Sequence, residues 1–553
     1  MSSEQQQPTV IVLGTAIAAG VVLCPVVKNI NGDLYPWSIL SCVIAAHFLV
    51  AFGLQQMSDG DFWAAQHLAF WAISCAIVSL WTNVLVYRIF FHPLNHFPGP
   101  FGAKLSKFWS LSQVVKSKSR WYRVCVDLHR KYGDYVRTGP NELVIRDPAA
   151  LAPLLGVRNK RGPFYGATQK SLHTNQDPEF HKQRRKVWDM AFKQTLTDYG
   201  PRIEEFTDAL LARLDKVTGK EVLVNEFCLH YVYDVMSGVG FGSETRFIEC
   251  ESSDFANNLL AQIQGGIAAI AFLAHVPWML TIAESLTFLG GPMKLFREWS
   301  AEQAKKRRLT TNPRPDIMGH LLEQTPDDAE GRALLDADSR LIIGAGSDTT
   351  GSALTVLFML LAYYRSYQER VREEVEQSFA DNTYTCARPQ MLLDAMINEA
   401  LRLAPPILFN LQRYPPKGGI KIGDVYIPEG TVCCIGAYQL HHDPRNFPQP
   451  DDFIPERWTS RPELVANKNA FVPFTMGPYM CPGRSIAMME MRSVIARTVQ
   501  KYDISFPQGT DFDIQEFLEN IKDHFTAGVP ELKLVFTPRK VLPVCRWPEA
   551  RSQ

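Results

Sequence analysis

Cys481 stands between Gly477 and Gly483, directly before residues 485–499, which are predicted to form a helix rich in Ala, Met and Glu. The thiolate, and not the thiol, is the form that binds metals. Exposed N–H groups at a helix N-terminus are expected to lower the pKa of this cysteine. The two glycines allow the backbone to turn tightly and to approach a flat cofactor. The alternative is a buried structural cysteine in a loop rich in Pro and Gly.

A second group of candidate residues lies in residues 345–350, with the sequence AGSDTT, inside an apolar run over residues 334–364. The small residues leave space on one face of the predicted helix. Thr349 is expected to turn its hydroxyl into that space, bond the carbonyl one turn back and open the helix locally. The alternative is a patch of small residues that serves helix packing.

A third group combines one carboxylate with two guanidinium groups. Glu399 and Arg402 are three residues apart and therefore share one face of a predicted helix, and Arg457 lies downstream in the sequence PERW. Taken alone, Glu399 and Arg402 would form an exposed surface pair. A buried arginine has to be paired, because an uncompensated buried charge costs roughly 3–5 kcal/mol.

In their order along the chain, these segments resemble four motifs of the cytochrome P450 family. The motifs are [AG]-G-x-[DE]-T-[TS] around Thr349, E-x-x-R at Glu399, P-E-R-[FW] at Arg457 and F-x-x-G-x-[RH]-x-C-x-G around Cys481. The resemblance implies the cytochrome P450 fold and a haem b whose iron is bound by the Cys481 thiolate, which favours O–O cleavage. The haem-binding loop then includes Phe474, Gly477 and Gly483.

The resemblance also assigns roles to the other two groups. Asp348 and Thr349 are implied to act as an acid–alcohol pair that relays protons during oxygen activation. Glu399, Arg402 and Arg457 are implied to form a buried triad that locks the core behind the haem, with a structural role.

Two further arginines are placed near the haem propionates by the same resemblance. Arg185 follows His181, which occupies the Trp position of the family's W-x-x-x-R helix, and Arg413 lies where another propionate-binding arginine is common. A guanidinium group binds a carboxylate through two parallel hydrogen bonds. Tyr479 departs from the family pattern because it occupies the [RH] position. Its phenol can donate a hydrogen bond but carries no charge at neutral pH.

The substrate pocket is implied by position in the family and is apolar or aromatic, so a hydrophobic small molecule is expected. Its predicted residues are Phe164, Tyr165, Ile343, Ala345, Ile407, Phe409 and Thr526. The segment before the proline-rich hinge and the PERW ending resemble filamentous-fungal members of the family that serve secondary metabolism. The substrate is then an alkaloid, for example an indole alkaloid, or a terpenoid or polyketide.

The resemblance implies a monooxygenase that inserts one oxygen atom from O2, with the demanding chemistry supplied by the haem. The sequence contains no flavin or nicotinamide domain, so electrons are expected from a separate membrane-bound NADPH–cytochrome P450 reductase. The alternatives are a haem-thiolate isomerase or dehydratase, which needs no reductase, and a non-catalytic haem carrier or sensor. The intact acid–alcohol pair favours the monooxygenase.

Three long stretches without Asp, Glu, Lys or Arg occupy the front of the chain, with cores at residues 9–27, 37–54 and 62–86. About 20 apolar residues are needed to span a bilayer. The sequence therefore predicts a membrane anchor of up to three transmembrane helices over residues 1–92. In the alternative topology, one or two of these segments lie on the membrane or re-enter it.

The charges between the spans predict their orientation. Lys28 lies in the first loop, and the second loop, around Asp59 and Asp61, contains no Lys or Arg. Four Lys or Arg residues follow the third span between residues 88 and 116. The positive-inside rule then places the N-terminus in the lumen, expected to be that of the endoplasmic reticulum, and the large domain in the cytosol.

Residues 93–100 are predicted to form a proline-rich hinge, and residues 101–553 one haem-thiolate monooxygenase domain, mainly α with small β-sheets. One strand is predicted over residues 420–427. A β-hairpin is predicted over residues 524–536, with its turn near residues 528–530.

Charge and cysteine usage exclude two other classes of site. The formal net charge is zero and no basic stretch carries interleaved aromatic residues, which excludes nucleic-acid binding. The eleven cysteines show no C-x-x-C spacing of a zinc site. In a cytosolic domain Cys433, Cys434 and Cys545 are expected to be ordinary reduced thiols.

Overall fold

The computed structural model describes residues 3–28, 30, 32–57, 61–194, 196–243, 245–249, 254–286, 294–310 and 314–539. The predictions for Asp59 and Cys545 lie outside these residues. Within them the chain is mainly helical with small sheets, which confirms the predicted fold class.

Helices make up most of the described chain, and the strands are short. The helices are α1 (Ser3–Val27), α2 (Pro36–Met57), α3 (Phe62–Val86), α4 (Phe101–Leu105), α5 (Phe108–Lys116), α6 (Trp121–Tyr132), α7 (Leu151–Leu155), α8 (Pro163–Gly166), α9 (Pro178–Gln194), α10 (Leu196–Asp215), α11 (Val224–Phe241), α12 (Asp254–Leu273), α13 (Pro277–Ser285), α14 (Lys294–Leu309), α15 (Ile317–Glu323), α16 (Ala329–Tyr363), α17 (Arg365–Ala380), α18 (Met391–Leu403), α19 (Ala437–His441), α20 (Arg484–Lys501) and α21 (Ile514–Glu519). The strands are β1 (Tyr135–Gly139), β2 (Glu142–Ile145), β3 (Glu221–Leu223), β4 (Leu411–Arg413), β5 (Ile420–Ile422), β6 (Val425–Ile427), β7 (Val432–Ile435), β8 (Tyr502–Ser505), β9 (Lys522–His524), β10 (Thr526–Gly528) and β11 (Lys533–Pro538).

Helices α1, α2 and α3 coincide with the three predicted spans, and α3 packs against both of the others. A Cβ atom added to Gly20 would lie 2.4 Å from a backbone oxygen of α3, so glycine permits this close approach. Ser79 donates a hydrogen bond to the carbonyl of Ile17 at 2.8 Å, and His47 Nε2 lies 2.9 Å from Gln66 Oε1 across α2 and α3. The polar groups within the spans are therefore used for packing between helices.

The outer surface of this three-helix bundle is apolar. Large side chains such as Val22, Leu49 and Trp63 are between 72 and 79% exposed. Among the described residues, α12 and α16 are also long and apolar enough to span a membrane, but 72% of the α16 segment is buried within the protein. Helix α16 is thus a core helix, whereas α1, α2 and α3 present their apolar surface outward.

The proline-rich hinge packs onto the large domain. After α3 the chain turns at Pro93, whose ring cannot continue a helix. Leu94 and Phe97 are buried in a hydrophobic core with residues of β2, β7 and α7. The amide of Arg137 in β1 donates to the carbonyl of Pro98 at 2.8 Å. The hinge therefore fixes the end of the anchor helices to the first sheet.

The large domain contains one mixed sheet of order β1-β2-β7-β4, in which only β2 and β7 are parallel, and one antiparallel sheet of order β3-β11-β8. The segment predicted as one strand over residues 420–427 forms the hairpin β5–β6, because Gly423 adopts a left-handed φ of +56° between them.

The predicted hairpin over residues 524–536 is wrong in its pairing. Strand β10 pairs with β9, and the turn lies at Phe525, which has a φ of +71°. Strand β11 instead pairs with β3 and β8. Gly528 ends β10, so the residues with the composition of a turn serve as the connection between two sheets. This pairing places Thr526 beside Ile407, with which it forms an isolated β-bridge.

Helix α16 crosses the domain over 35 residues and packs closely on α11. A Cβ atom added to Gly346 would lie 2.6 Å from Met236 Cε of α11. The small residue at this position therefore allows the two helices to approach, as the packing alternative expected. The helix continues without interruption through Thr349, so the expected local opening does not occur.

The predicted triad residues lie together between α18 and the chain that leads toward Cys481. The carboxylate of Glu399 accepts two hydrogen bonds from Arg402, at 2.9 and 3.0 Å, and one from Arg457 at 2.9 Å. All three side chains are completely buried. Other guanidinium N–H groups donate to the main-chain carbonyls of residues 441, 448, 449, 450, 452 and 464. Main-chain segments of little regular structure are thereby fixed in place.

Candidate active site

A cavity of about 460 Å³ lies beside α16 and brings most of the predicted site residues together. The predicted residues that line it are Phe164, Tyr165, Arg185, Ala345, Thr349, Ile407, Phe409, Arg413, Phe474, Cys481, Gly483 and Thr526. Apart from the buried triad, three predicted residues are not among its lining residues. Ile343 is fully buried in the hydrophobic core, because its side chain leaves α16 on the opposite face from Ala345. The other two, Gly477 and Asp348, lie directly behind lining residues.

Gly477 shapes the loop that carries Cys481 and does not contact the cavity. It adopts a φ of +64°, and an added Cβ atom would lie 2.7 Å from Leu155 O and Gly156 Cα. Glycine is needed here for the turn and for the approach to the end of α7. The loop then returns to itself, because the amide of Cys481 donates to the carbonyl of Phe474 at 3.0 Å.

The thiol of Cys481 faces the cavity just before α20 begins at Arg484. Burial raises the pKa of this thiol, and the backbone N–H groups of Gly483 and Arg484 together with Arg185 only partly offset the effect. The expectation of a lowered pKa was therefore wrong, because desolvation outweighs the helix N-terminus. A bound metal ion displaces the thiol proton and so removes this obstacle to the thiolate.

Thr349 and Asp348 leave α16 in different directions. Thr349 lines the cavity, and its hydroxyl donates to the carbonyl of Ala345 at 2.9 Å, one turn back as predicted. Asp348 is 9% exposed and accepts a hydrogen bond from the hydroxyl of Thr526 at 2.7 Å. Burial raises the pKa of the Asp348 carboxyl. Thr526 therefore connects a buried acid to the cavity that it lines.

Arg161, which the sequence analysis missed, is the direct neighbour of Arg413. The two residues form an antiparallel β-bridge, and the amide of Tyr414 donates to the carbonyl of Lys160 at 2.8 Å. Directly opposed residues share one face of a sheet, so two guanidinium groups are brought side by side. The motif gave no signal for Arg161, because its position depends on pairing with a strand that is remote in sequence.

Tyr479, two residues before Cys481, is the residue of this loop that contacts the two buried cations. The guanidinium carbons of Arg161 and Arg413 lie 4.5 and 4.4 Å from its ring centroid. Its hydroxyl donates to the carbonyl of Asn159 at 2.8 Å. Burial and the neighbouring Arg413 lower the pKa of Arg161 to about 10. The aromatic ring thus interacts with both charges through cation–π contacts, where the family pattern has a charged or imidazole side chain.

Arg185 contacts the Cys481 loop from α9. Its guanidinium group donates to the carbonyls of Met480 and Pro478, and its Nε donates to Asp189 at 2.7 Å. The side chain also lines the cavity. Arg185 therefore holds the main chain on both sides of Tyr479 and presents a positive charge next to the thiol.

The family model described as "Cytochrome P450" matches residues 98–526, which is most of the chain. The chain belongs to the cytochrome P450 family. The enzyme is a haem-thiolate monooxygenase, and this family uses O2 and a redox partner to oxidise small molecules. The match to the family model begins at Pro98, within the hinge.

The chain is similar to fungal members of the family along most of its length. It is 35% identical to "Cytochrome P450 monooxygenase orf5" of Eupenicillium brefeldianum, over 84% of this chain and 95% of the relative. It is 34% identical to "Cytochrome P450 monooxygenase phqL" of Penicillium fellutanum, over 83% of this chain and 82% of the relative. The length and the multi-span front also predict similarity to "Tryprostatin B 6-hydroxylase". The chain is 30% identical to that protein of Neosartorya fischeri, over 84% of this chain and 86% of the relative, which confirms this prediction.

The residues around the cavity fit a haem. Arg161 and Arg413 are 5 and 2% exposed, and in the described part of the chain neither forms a salt bridge with a carboxylate. Arg413 Nε and His181 Nδ1 are buried without a hydrogen-bond partner among the described residues. Buried cations require an anionic partner, and the two propionates of haem are carboxylates of this kind. A cysteine thiol faces the same cavity.

We predict that the ring of Tyr479, and not its hydroxyl, keeps the two arginines in position for haem. Tyr479→Phe retains the cation–π contacts, whereas Tyr479→Leu removes them and leaves two neighbouring guanidinium groups to repel each other. We expect Tyr479→Leu to release haem to excess apomyoglobin roughly tenfold faster than wild type, given about 1–2 kcal/mol of lost interaction. Tyr479→Phe is expected to stay within about threefold, because only one hydrogen bond is lost. Equal rates for the two variants would contradict this role of the ring.

Proposed function

We propose that Cys481 is the axial ligand of the haem iron and that the enzyme inserts oxygen into a largely apolar fungal secondary metabolite. The observation that carries the proposal is that Cys481, Thr349 and the propionate-binding candidates line one cavity. When bound, the haem supplies the oxidising chemistry with its thiolate ligand. The protein residues bind and orient both molecules, exclude water and deliver protons. The electrons are proposed to come from a membrane-bound NADPH–cytochrome P450 reductase.

The ligand assignment is tested by the absorption spectrum of the reduced, CO-bound protein in microsomes. We expect the red-shifted Soret band typical of thiolate ligation in the wild type and its loss in Cys481→Ala. The matched control is Cys42→Ala, which removes an exposed thiol from α2 and leaves the cavity unchanged. A thiolate-type band that persists in Cys481→Ala would disprove the assignment.

Proton delivery is proposed to run from Asp348 through Thr526 and Thr349. Both threonines line the cavity, and Asp348 is buried with the Thr526 hydroxyl as its partner. Because burial raises the pKa of Asp348, its carboxyl can retain a proton at a higher pH than an exposed aspartate. The hydroxyl groups can accept and donate protons, so they can transmit this proton into the cavity without ionising.

We predict that Thr526→Val uncouples NADPH consumption from product formation, whereas Thr526→Ser does not. Valine preserves the shape of threonine but has no hydroxyl to bond Asp348. We expect the hydrogen peroxide released per NADPH to rise roughly tenfold in Thr526→Val, since general acid catalysis contributes at least that much. The rates are measured with reductase and a substrate that shifts the haem spin state. Similar uncoupling in both variants would show that the hydroxyl is not part of the relay.

The substrate is proposed to combine an apolar body with a polar group. Aromatic residues such as Phe164 and Phe409 line the cavity, and so do the cations Arg297 and Arg340. Arg340 precedes Thr349 by nine residues on α16, which corresponds to about 13 Å along the helix. The similarity to a tryprostatin B hydroxylase supports an indole alkaloid. A spin-state titration with tryprostatin B, a sesquiterpene and an aromatic polyketide distinguishes the three classes.

Helices α1, α2 and α3 are proposed to span the endoplasmic reticulum membrane, with residues 1–92 as anchor, residues 93–100 as hinge and residues 101–553 as a cytosolic domain. The outward-facing apolar side chains of all three helices support this proposal. The ammonium group of Lys28, after α1, lies 4.6 Å from the ring centroid of Tyr87, after α3. The first loop and the start of the large domain therefore lie at the same end of the bundle.

The topology predicts which inserted glycosylation acceptors become modified. An Asn-X-Ser acceptor carried on a flexible insert is expected to be glycosylated at the N-terminus or between α2 and α3, because both are luminal. The same insert at Gly219, an exposed turn of the large domain, is expected to remain unmodified. Gel shifts after endoglycosidase treatment report the result, and glycosylation at Gly219 would invert the proposed topology.

A further inference from the structure

The loop between α1 and α2 contacts the large domain at the wall of the cavity. Leu34 packs against a hydrophobic cluster that contains Phe164, Tyr165 and Phe409, all of which line the cavity. A Cβ atom added to Gly166 of α8 would lie 2.8 Å from Leu34 Cδ1. The aromatic wall of the cavity therefore lies between the space for the substrate and a residue of the anchor.

Two hydrogen bonds fix this loop to α13. Trp37 Nε1, at the start of α2, donates to Ser285 Oγ at 2.8 Å. The hydroxyl of Thr281 contacts the carbonyl of Asp33 at 3.4 Å. Leu280, directly before Thr281 on α13, is buried in the same hydrophobic cluster as Phe164. The polar contacts to α13 therefore involve Asp33 and Trp37, which lie on either side of Leu34 in the sequence.

Helix α8 is positioned by the aromatic packing of Phe164 and Tyr165 and by contacts at both of its ends. Helix α8 contains only four residues, which is too short to be stable without tertiary packing. The amide of Phe164 donates to Gln412 Oε1 at 3.2 Å, and Gln176 Nε2 donates to the carbonyl of Gly162 at 2.7 Å. These bonds hold the start of α8, and Leu34 packs at its end beside Gly166, together with the side chain of Gln176.

We propose that Leu34, in the loop between α1 and α2 (the anchor loop), and Trp37, at the start of α2, are positioning residues that set the shape of the substrate cavity. Leu34 supports the aromatic wall formed by Phe164 and Tyr165, and Trp37 holds Leu34 in place through Ser285. The anchor then determines the affinity for bulky apolar ligands in addition to attaching the enzyme to a membrane. This inference rests on the haem site proposed above.

The test uses full-length protein in microsomes and two probes that bind ferric haem through the same imidazole nitrogen. Imidazole occupies only the space beside the iron, whereas clotrimazole carries a triphenylmethyl group that reaches the cavity walls. We expect Leu34→Ala to weaken clotrimazole binding about tenfold and imidazole binding less than about twofold, as lost support loosens a packed wall. The matched control is Ile44→Ala, the same type of truncation at a 48% exposed position of α2.

Removal of the hydrogen bond between Trp37 and Ser285 provides a second, milder perturbation. Trp37→Phe and Ser285→Ala each remove it, and the double variant is expected to weaken clotrimazole binding no more than either single variant does. The thiolate-type CO spectrum is expected to be unchanged in all of these variants. A failure of the haem assignment can therefore be distinguished from a failure of this inference. The inference is overturned if Leu34→Ala and Trp37→Phe bind clotrimazole within twofold of wild type, or if imidazole and clotrimazole weaken in parallel.

Discussion

The placement of the catalytic loop depends on one buried carboxylate that binds two guanidinium groups. Glu399 lies in the regular helix α18. In contrast, the chain from residue 442 to Cys481 contains only short helical turns and no strand. Such a segment has few ladder hydrogen bonds to fix it, so its carbonyls are bound by side chains instead. Arg402 and Arg457 supply these donors, and Glu399 compensates their charge. Loss of the carboxylate would leave two uncompensated buried cations, which is among the most destabilising changes in a protein core.

Buried cations need compensation on the other side of the cavity as well, and there it is achieved differently. Arg161 and Arg413 are also buried side by side, but their neighbours are the aromatic ring of Tyr479 and main-chain carbonyls. A cation–π contact of about 0.5–2 kcal/mol offsets only part of the desolvation of a guanidinium group. We propose that the haem propionates supply the remainder, which would link haem affinity thermodynamically to the order of this region.

The motifs predicted Cys481, Thr349 and the Glu399 triad because each depends on local spacing or on an established family pattern. Hydropathy predicted all three anchor helices for the same reason, since a span is a property of consecutive residues. The hairpin over residues 524–536 was wrong because its pairing is decided by distant strands, and Phe525 adopts a left-handed φ without being glycine. Ile343 was misplaced because the family position does not give the rotation of α16. Arg161 and Leu34 were missed because only the folded chain brings Arg161 to the cavity and Leu34 to the outside of its aromatic wall.

The contact between the anchor loop and α13 also has a consequence for biosynthesis. Leu34 leaves the ribosome long before Leu280, and at 5–20 residues per second the delay is on the order of tens of seconds. In the proposed topology the nascent chain is integrated into the bilayer during this interval, but the surface that receives Leu34 does not yet exist. Closure of the cavity wall is therefore a late event that joins the first and the middle parts of the translated chain. If residues 254–286 were translated slowly, or if the chain left the ribosome before they had folded, the catalytic centre of the inserted protein would still be open to water.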